Sequence, residues 1–285
     1  MKLHEDKELF TDIIARAAEH PSQGGLGVRP QFIEKDYWIT NALKYFSESP
    51  YRDIAVFKGG TSLSKAYHIG MRFSEDIDIA IIKTDSMTDA QLKTASMRPG
   101  QILFEINSFA NPYPYQNIEI SSFAYDYLAM HMANDIIIEF GLQPFRIKVL
   151  DKRTTMTEKM VSLIRFSLAG NPITELEAKI RHFYDLHYLL QDPECKAYLF
   201  SSEFAKSFKS LITHDKDLFS NPAGWREKSI KNSPLLTDFS ELWNVLKKRY
   251  SEELPPLSYS LSIPSVDAIA KSMKEILDVI KNLPE

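Results

Sequence analysis

The stretch that decides the fold is IAVFKGGTSLSKAYHIGMRFSEDIDIAI, residues Ile54 to Ile81. Ile54-Ala55-Val56-Phe57 is a short apolar run of the kind found in a buried strand, and it ends at Lys58-Gly59-Gly60. Thr61 to Tyr67 reads as a helix. After Gly70 the pattern alternates: Arg72, Ser74, Asp76, Asp78 and Ala80 share one parity, while Phe73, Ile77, Ile79 and Ile81 share the other. Period two means opposite faces of a strand, with Glu75 the only charge on the apolar side.

Paired glycines permit positive φ and let the backbone approach a ligand closely. The hydroxyls of Thr61 and Ser62 follow at the start of a helix, whose free N–H groups and dipole favour phosphate. Alone, such a turn is common structural punctuation. Asp76 and Asp78, two apart on a strand, project from one face and repel unless a cation lies between them. Mg²⁺ suits such a pair, because it takes one or two carboxylates and completes its shell with phosphate oxygens and water. Any isolated Asp-Ile-Asp is more often a solvent-facing strand. Sixteen residues after a phosphate-suited turn, the pair supplies what nucleotidyl transfer needs: a triphosphate cradle and a place for metal.

Outward from this stretch, Lys7 to Ala18 carries helical pattern, a Gly/Pro-rich break follows, and Pro30 opens a helix through Ile33, Tyr37 and Leu43. Residues 85 to 105 read as a helix-rich connection. Strands are expected at Ile118–Phe123, Ile136–Phe140 and Phe145–Val149. From about residue 155 the signal is helical: Thr155-x-x-Glu158 has the form of a capping box, which would put Lys159 in a first turn. Further helices carry Ile180, Phe183, Tyr184, His187 and Leu190 on one face, and run from about Val266 to Leu283. An α/β front half (1–150) thus leads into an all-helical back half (151–285).

The quoted residues resemble the signature of the AbiEii/AbiGii-type nucleotidyltransferases, a family that includes toxins of abortive-infection toxin–antitoxin systems and MenT enzymes within the polymerase-β-like superfamily. IEKDYWIT (Ile33–Thr40), TEKMVSLIR (Thr157–Arg165) and KIRHFYDLHYLL (Lys179–Leu190) are similar to further family segments, in the expected order. The resemblance implies an α+β fold, with a polymerase-β-like core of mixed sheet and helices followed by a helical domain that completes the active site and binds the acceptor. It implies that Gly59, Gly60, Thr61 and Ser62 hold the β- and γ-phosphates. Lys58, next to the turn, and Arg72, on the parity of the aspartates, are expected to add to nucleotide binding, the other reading of Arg72 being a surface charge at a strand start. It also implies that Asp76 and Asp78 bind Mg²⁺ or Mn²⁺, and that Lys159 and Asp185 belong to the same cluster, Lys159 on the triphosphate. The superfamily's third carboxylate, metal ligand and base, is expected at Glu139, with Asp126 and Asp135 as rivals. Asp185 has another reading, an intrahelical pair with Arg181 four residues before it. The family usually places an acidic residue where this chain has His182.

The resemblance further implies an NTP substrate, a tRNA 3′ end as acceptor, and an antitoxin encoded by a neighbouring gene. Two other functions remain open: modification of a protein by nucleotidyl or phosphoryl transfer, and non-catalytic binding of GTP or another NTP. With 285 residues and a net charge of −4, the chain has no overall field for nucleic acid. Between Pro144 and His182, however, eight Lys/Arg face four Asp/Glu, either an RNA or phosphate footprint or a solvated helix face. One cysteine, no apolar leader and no run near the ~18 residues of a membrane span lead to the expectation of a cytoplasmic protein without membrane partners. His182 and His187, five apart, are poorly spaced for zinc, and the aromatic residues Tyr37, Trp38 and Trp225 are read as core or interface anchors.

Overall fold

The computed structural model describes residues 1–74, 76–82, 112–259 and 263–283 and, between them, the strand segments 96–97 and 103–107. Glu75 lies outside the described residues, as does most of the 85–105 connection. The chain divides into two compact units, Met1–Asp151 and Lys152–Glu285. Among the described residues no helix is long and apolar enough to cross a membrane.

The first unit opens with α1 (Lys7–Ala18) and α2 (Pro30–Glu48), the latter started by proline at its first position. Then come β1 (Ala55–Lys58), α3 (Gly59–Ala66), β2 (Asp76–Ile81), β3 (Ser96–Met97), β4 (Leu103–Asn107), β5 (Tyr115–Ile120), α4 (Phe123–Met130), α5 (Asn134–Glu139) and β6 (Phe145–Leu150). The six strands form one mixed sheet in the order β3-β4-β2-β1-β6-β5. β1 is antiparallel to β2 and parallel to β6, and β2 is parallel to β4. Val56, Phe57, Ile77, Ile79 and Val149 are fully buried, which fixes the register of the central strands against a one-residue slip.

The second unit is helical: α6 (Lys152–Ser167), α7 (Pro172–Glu177), α8 (Ile180–Gln191), α9 (Pro193–Leu199), α10 (Ser202–Leu218), α11 (Pro234–Thr237), α12 (Phe239–Leu257) and α13 (Val266–Lys281). The fold is therefore α+β, with a mixed sheet and helices in the first unit and helices in the second. Trp225 is buried, its indole N–H donating to the Phe219 carbonyl at 2.7 Å, and Tyr37 lies in the core of the first unit.

Four local expectations are corrected. Ile136–Phe140 is no strand: Asn134–Glu139 is helical, and only Ile137 of the isoleucine run is buried, as a short surface helix requires. The strand expected at Ile118–Phe123 ends at Ile120, because Ser122 caps α4 by accepting from the Tyr125 N–H. The tract expected to be helix-rich contains β3 and the first part of β4. Finally, Thr155 does not cap a helix. α6 begins three residues earlier, directly after β6, so Thr155 lies inside it, buried, and Lys159 sits in mid-helix rather than in a first turn.

Candidate active site

The topology brings the chemistry to one end of the two central strands, β1 and β2. β1 runs into α3 at Lys58, and because β2 is antiparallel to it, Asp76 and Asp78 begin β2 at that same end, with Asp78 in register with Lys58. β4 runs parallel to β2, so Glu105 stands in register with Asp78 and shares its face. From Asp76 to Ile79 the burial of β2 alternates as its sequence does, with Ile77 and Ile79 buried and Asp76 and Asp78 half-buried; Ala80 breaks the alternation by being buried too.

Gly59 has φ +79°, a conformation L side chains rarely adopt, and a methyl group there would overlap the Asp78 carboxylate. Glycine is thus required at 59 by backbone and neighbour together. At Gly60 the neighbour is Arg72: a Cβ would lie 2.5 Å from its guanidinium and 3.6 Å from the Ser74 hydroxyl. Arg72 and Ser74 are buried and lie just outside β2, Arg72 in an isolated bridge, so they line the turn rather than extending the strand.

The hydroxyls expected at phosphate point elsewhere. Thr61 Oγ1 donates to the Asp76 carbonyl at 2.6 Å, and Ser62 Oγ donates to the Gly59 carbonyl at 2.9 Å. Both side chains are buried and brace the turn. The N–H groups of the first turn of α3, which has no side-chain cap, remain the phosphate-suited donors.

Among the described residues no three His, Cys, Asp or Glu side chains are drawn together as a metal cage. The start of β2 offers instead the carboxylate pair Asp76 and Asp78, whose chemistry fits Mg²⁺ with phosphate oxygens and water completing the shell. Glu139 is exposed on α5, off any strand, which removes the reason for choosing it as third carboxylate. Glu105, in register with Asp78, is a strand carboxylate that the sequence expectations did not include. The signal was there: Phe104 and Ile106 alternate with Glu105 and Asn107 at strand period.

In the second unit, Lys159 on α6 and Asp185 on α8 form a buried ion pair at 2.8 Å, with side chains 7% and 5% exposed. Asp185 therefore has a cation from another helix, while Arg181 turns to Glu253 at 3.3 Å. The basic excess of the Pro144–His182 segment is largely matched by carboxylates in the same way. Lys152 meets Asp192 at 2.7 Å and Glu194 at 2.9 Å; Arg165 meets Asp215 at 3.0 Å. Burial works to raise the Asp192 carboxyl, but Lys152 and the Cys195 N–H outweigh it and hold it below its ordinary value. The local charge excess marks cross-helix pairing more than a solvated basic face.

A family model described as "Nucleotidyl transferase AbiEii toxin, Type IV TA system" matches residues 41–97 and 89–272, together most of the chain. No curated protein matches. Among solved structures, the nucleotidyltransferase toxin MenT4 of Mycobacterium tuberculosis is similar over 95% of this chain and 98% of its own, with 13% identity and a TM-score of 0.43. The glycine turn and carboxylate pair fall within the first matched segment, and the Lys159 and Asp185 helices within the second. The chain belongs to the AbiEii family of nucleotidyltransferase toxins of type IV toxin–antitoxin systems.

Proposed function

We propose that this protein transfers a nucleoside monophosphate from an NTP to the 3′-terminal hydroxyl of a tRNA, as the growth-inhibiting toxin of an abortive-infection system in the cytoplasm, restrained by a cognate antitoxin. The observation that carries the reading is the meeting of Gly59 and Asp78: a backbone turn suited to phosphate lies against a carboxylate suited to metal, with no side chain between them. Asp76 and Asp78 would hold Mg²⁺ or Mn²⁺. A divalent ion bound there neutralises charge on the transferring phosphorus and the leaving pyrophosphate.

The chain's own groups do the rest. First-turn N–H groups of α3, Gly60 and Thr61 among them, bind β- and γ-phosphate oxygens, aided by the helix dipole. Arg72, behind Gly60, and Lys58, at the end of β1, add fixed positive charge. Lys159, steadied by Asp185, is the cation assigned to the triphosphate. Glu105, in register with Asp78, takes the role first sought at Glu139, accepting the proton of the attacking hydroxyl. The helical second unit binds the acceptor.

A second reading, transfer to a protein hydroxyl, is favoured by one observation. Lys152, Lys159, Arg165 and Arg181 are engaged with carboxylates, which weakens the case for an RNA-binding face on that segment.

Incubation with each α-labelled NTP, Mg²⁺ and either total tRNA or cell lysate separates the readings, with Asp76→Ala/Asp78→Ala as control. Label in tRNA supports the first reading and label in protein the second. Transfer from γ-labelled NTP alone would mean phosphotransfer. NTP binding with no transfer would leave a binding module.

A further inference from the structure

The glycine turn belongs to a helix of only eight residues, and something must set where that helix lies. Its first turn is tied to β2 by the Thr61 hydroxyl on the Asp76 carbonyl. Four residues on, and so on the same helix face, is Lys65. Its ammonium lies 2.5 Å from Asp36 Oδ1 on α2 and donates to the Ser121 carbonyl at 2.8 Å. The other Asp36 oxygen accepts from the Phe123 N–H at 2.8 Å, at the first residue of α4, where a helix N-terminus favours a carboxylate. The two side chains are 6% and 10% exposed.

Stability alone does not explain such a pair, since well-packed apolar residues in place of a buried ion pair are often as stable or more so. What the pair adds is direction. An apolar contact between α2 and α3 tolerates sliding, whereas three hydrogen bonds to two fixed backbone groups and one carboxylate do not. Sliding matters here because Gly59 and Asp78 approach so closely that a single methyl group would not fit.

We propose that Asp36 and Lys65 are positioning residues: a nearly buried strut that holds α3 in register, so that the glycine turn keeps its place over the Asp76/Asp78 pair. The strut touches no substrate and acts through Gly59 and Gly60. This rests on the nucleotidyl-transfer reading of that pair.

The test is the double variant Asp36→Asn/Lys65→Met, which removes both charges, keeps an acceptor for the Phe123 N–H and roughly preserves volume. Thermal melting, NTP kinetics and amide hydrogen exchange are measured on the full chain. The expected result is a folded protein with kcat/KM for the NTP lower by roughly 10- to 100-fold, and with faster exchange across Gly59–Leu63 but not across β1 or β6. Wild-type kinetics with unchanged exchange in the folded variant would overturn the strut.

If the double variant does not fold, Lys65→Arg decides. It keeps the charge and changes the reach, so a folded protein with raised KM supports the proposal and an unchanged KM defeats it. Should the wild type transfer to no acceptor, the functional reading fails. Exchange across Gly59–Leu63 then decides the strut by itself, faster exchange supporting it and unchanged exchange refuting it.

Discussion

The two units hold their key carboxylates in opposite ways. On β2, Asp76 and Asp78 share one face of a strand and stay half-buried where a central strand of the sheet begins, and in the proposed function a divalent cation would relieve their mutual repulsion. On α8, Asp185 is buried with its cation supplied by the same unit, Lys159 at 2.8 Å. In the proposed function the first arrangement is the one a ligand completes. The second is a buried ion pair locked into the packing of its own unit. Removing a carboxylate should therefore have opposite consequences in the two places.

The largest effect is expected on chemistry at β2. Asp76→Asn or Asp78→Asn should lower transfer by about 10²–10³-fold or more, while in Asp76→Asn the melting temperature holds or rises because like-charge repulsion is gone. Turnover near wild type in either variant, read with labelled NTP, would break the distinction, as would a marked loss of stability in Asp76→Asn.

In the second unit the order reverses. Asp185→Ala strands a buried lysine cation and should cost about 3–5 kcal/mol in urea unfolding. The double variant Lys159→Met/Asp185→Leu should restore most of that, because apolar packing replaces the pair without leaving a charge unmatched. It should not restore transfer if Lys159 serves the triphosphate. A double variant that unfolds as readily as the single one would show that the pair does more than fill volume.

The same contrast governs what could be read from the sequence. The glycine turn and the Asp-Ile-Asp strand were legible because backbone geometry and strand period are local: Gly-Gly after an apolar run, then alternation, locate β1 and α3 within a residue or two and the end of β2, although the alternation begins at Arg72, four residues before the strand does. α1 and the start of α13 were legible for the same reason. Partners were not. That Asp185 would face Lys159 rather than Arg181, or that Asp36 would face Lys65, depends on which helices lie side by side, and charge spacing along one helix carries no record of that. Three isoleucines before Glu139 suggested a strand, but the run is too short for periodicity to separate buried strand from surface helix. The strand expected there and the helix expected through residue 105 together drew the search for a strand-borne carboxylate to Glu139, which lies on α5, and away from Glu105, which lies on β4.

A third prediction sharpens the claim that Gly59 is fixed by its neighbour as well as its backbone. Gly59 and Gly141 both have positive φ, +79° and +63°, but nothing lies within 4 Å of a Cβ added at Gly141. Gly141→Ala should cost only the left-handed strain, roughly 1–2 kcal/mol. Gly59→Ala should cost more and also weaken NTP binding, since Asp78 must move. Equal losses at the two sites, with NTP affinity unchanged, would remove the close approach from the argument.

The smallest effect is a difference in pH response. His187, half-buried on α8 with Nδ1 2.8 Å from the Ser272 hydroxyl, is held below its ordinary value of 6.5, chiefly by burial. As pH falls below 6.5 the unfolded chain takes up a proton that the folded second unit resists, so stability declines, by at most about 1.4 kcal/mol per pH unit from this group. In the first unit, burial raises the Asp126 carboxyl above 3.8 despite the Ser121 hydroxyl donating to it at 2.6 Å. There the folded chain takes up the proton first, and acidification down to about 3.8 favours the fold. Urea midpoints followed from pH 7 to 4 in His187→Gln and Asp126→Asn should move in opposite directions relative to wild type. The histidine variant should lose less stability on acidification, and the aspartate variant more. Parallel shifts would mean that the two groups do not titrate against their surroundings in the way their burial requires.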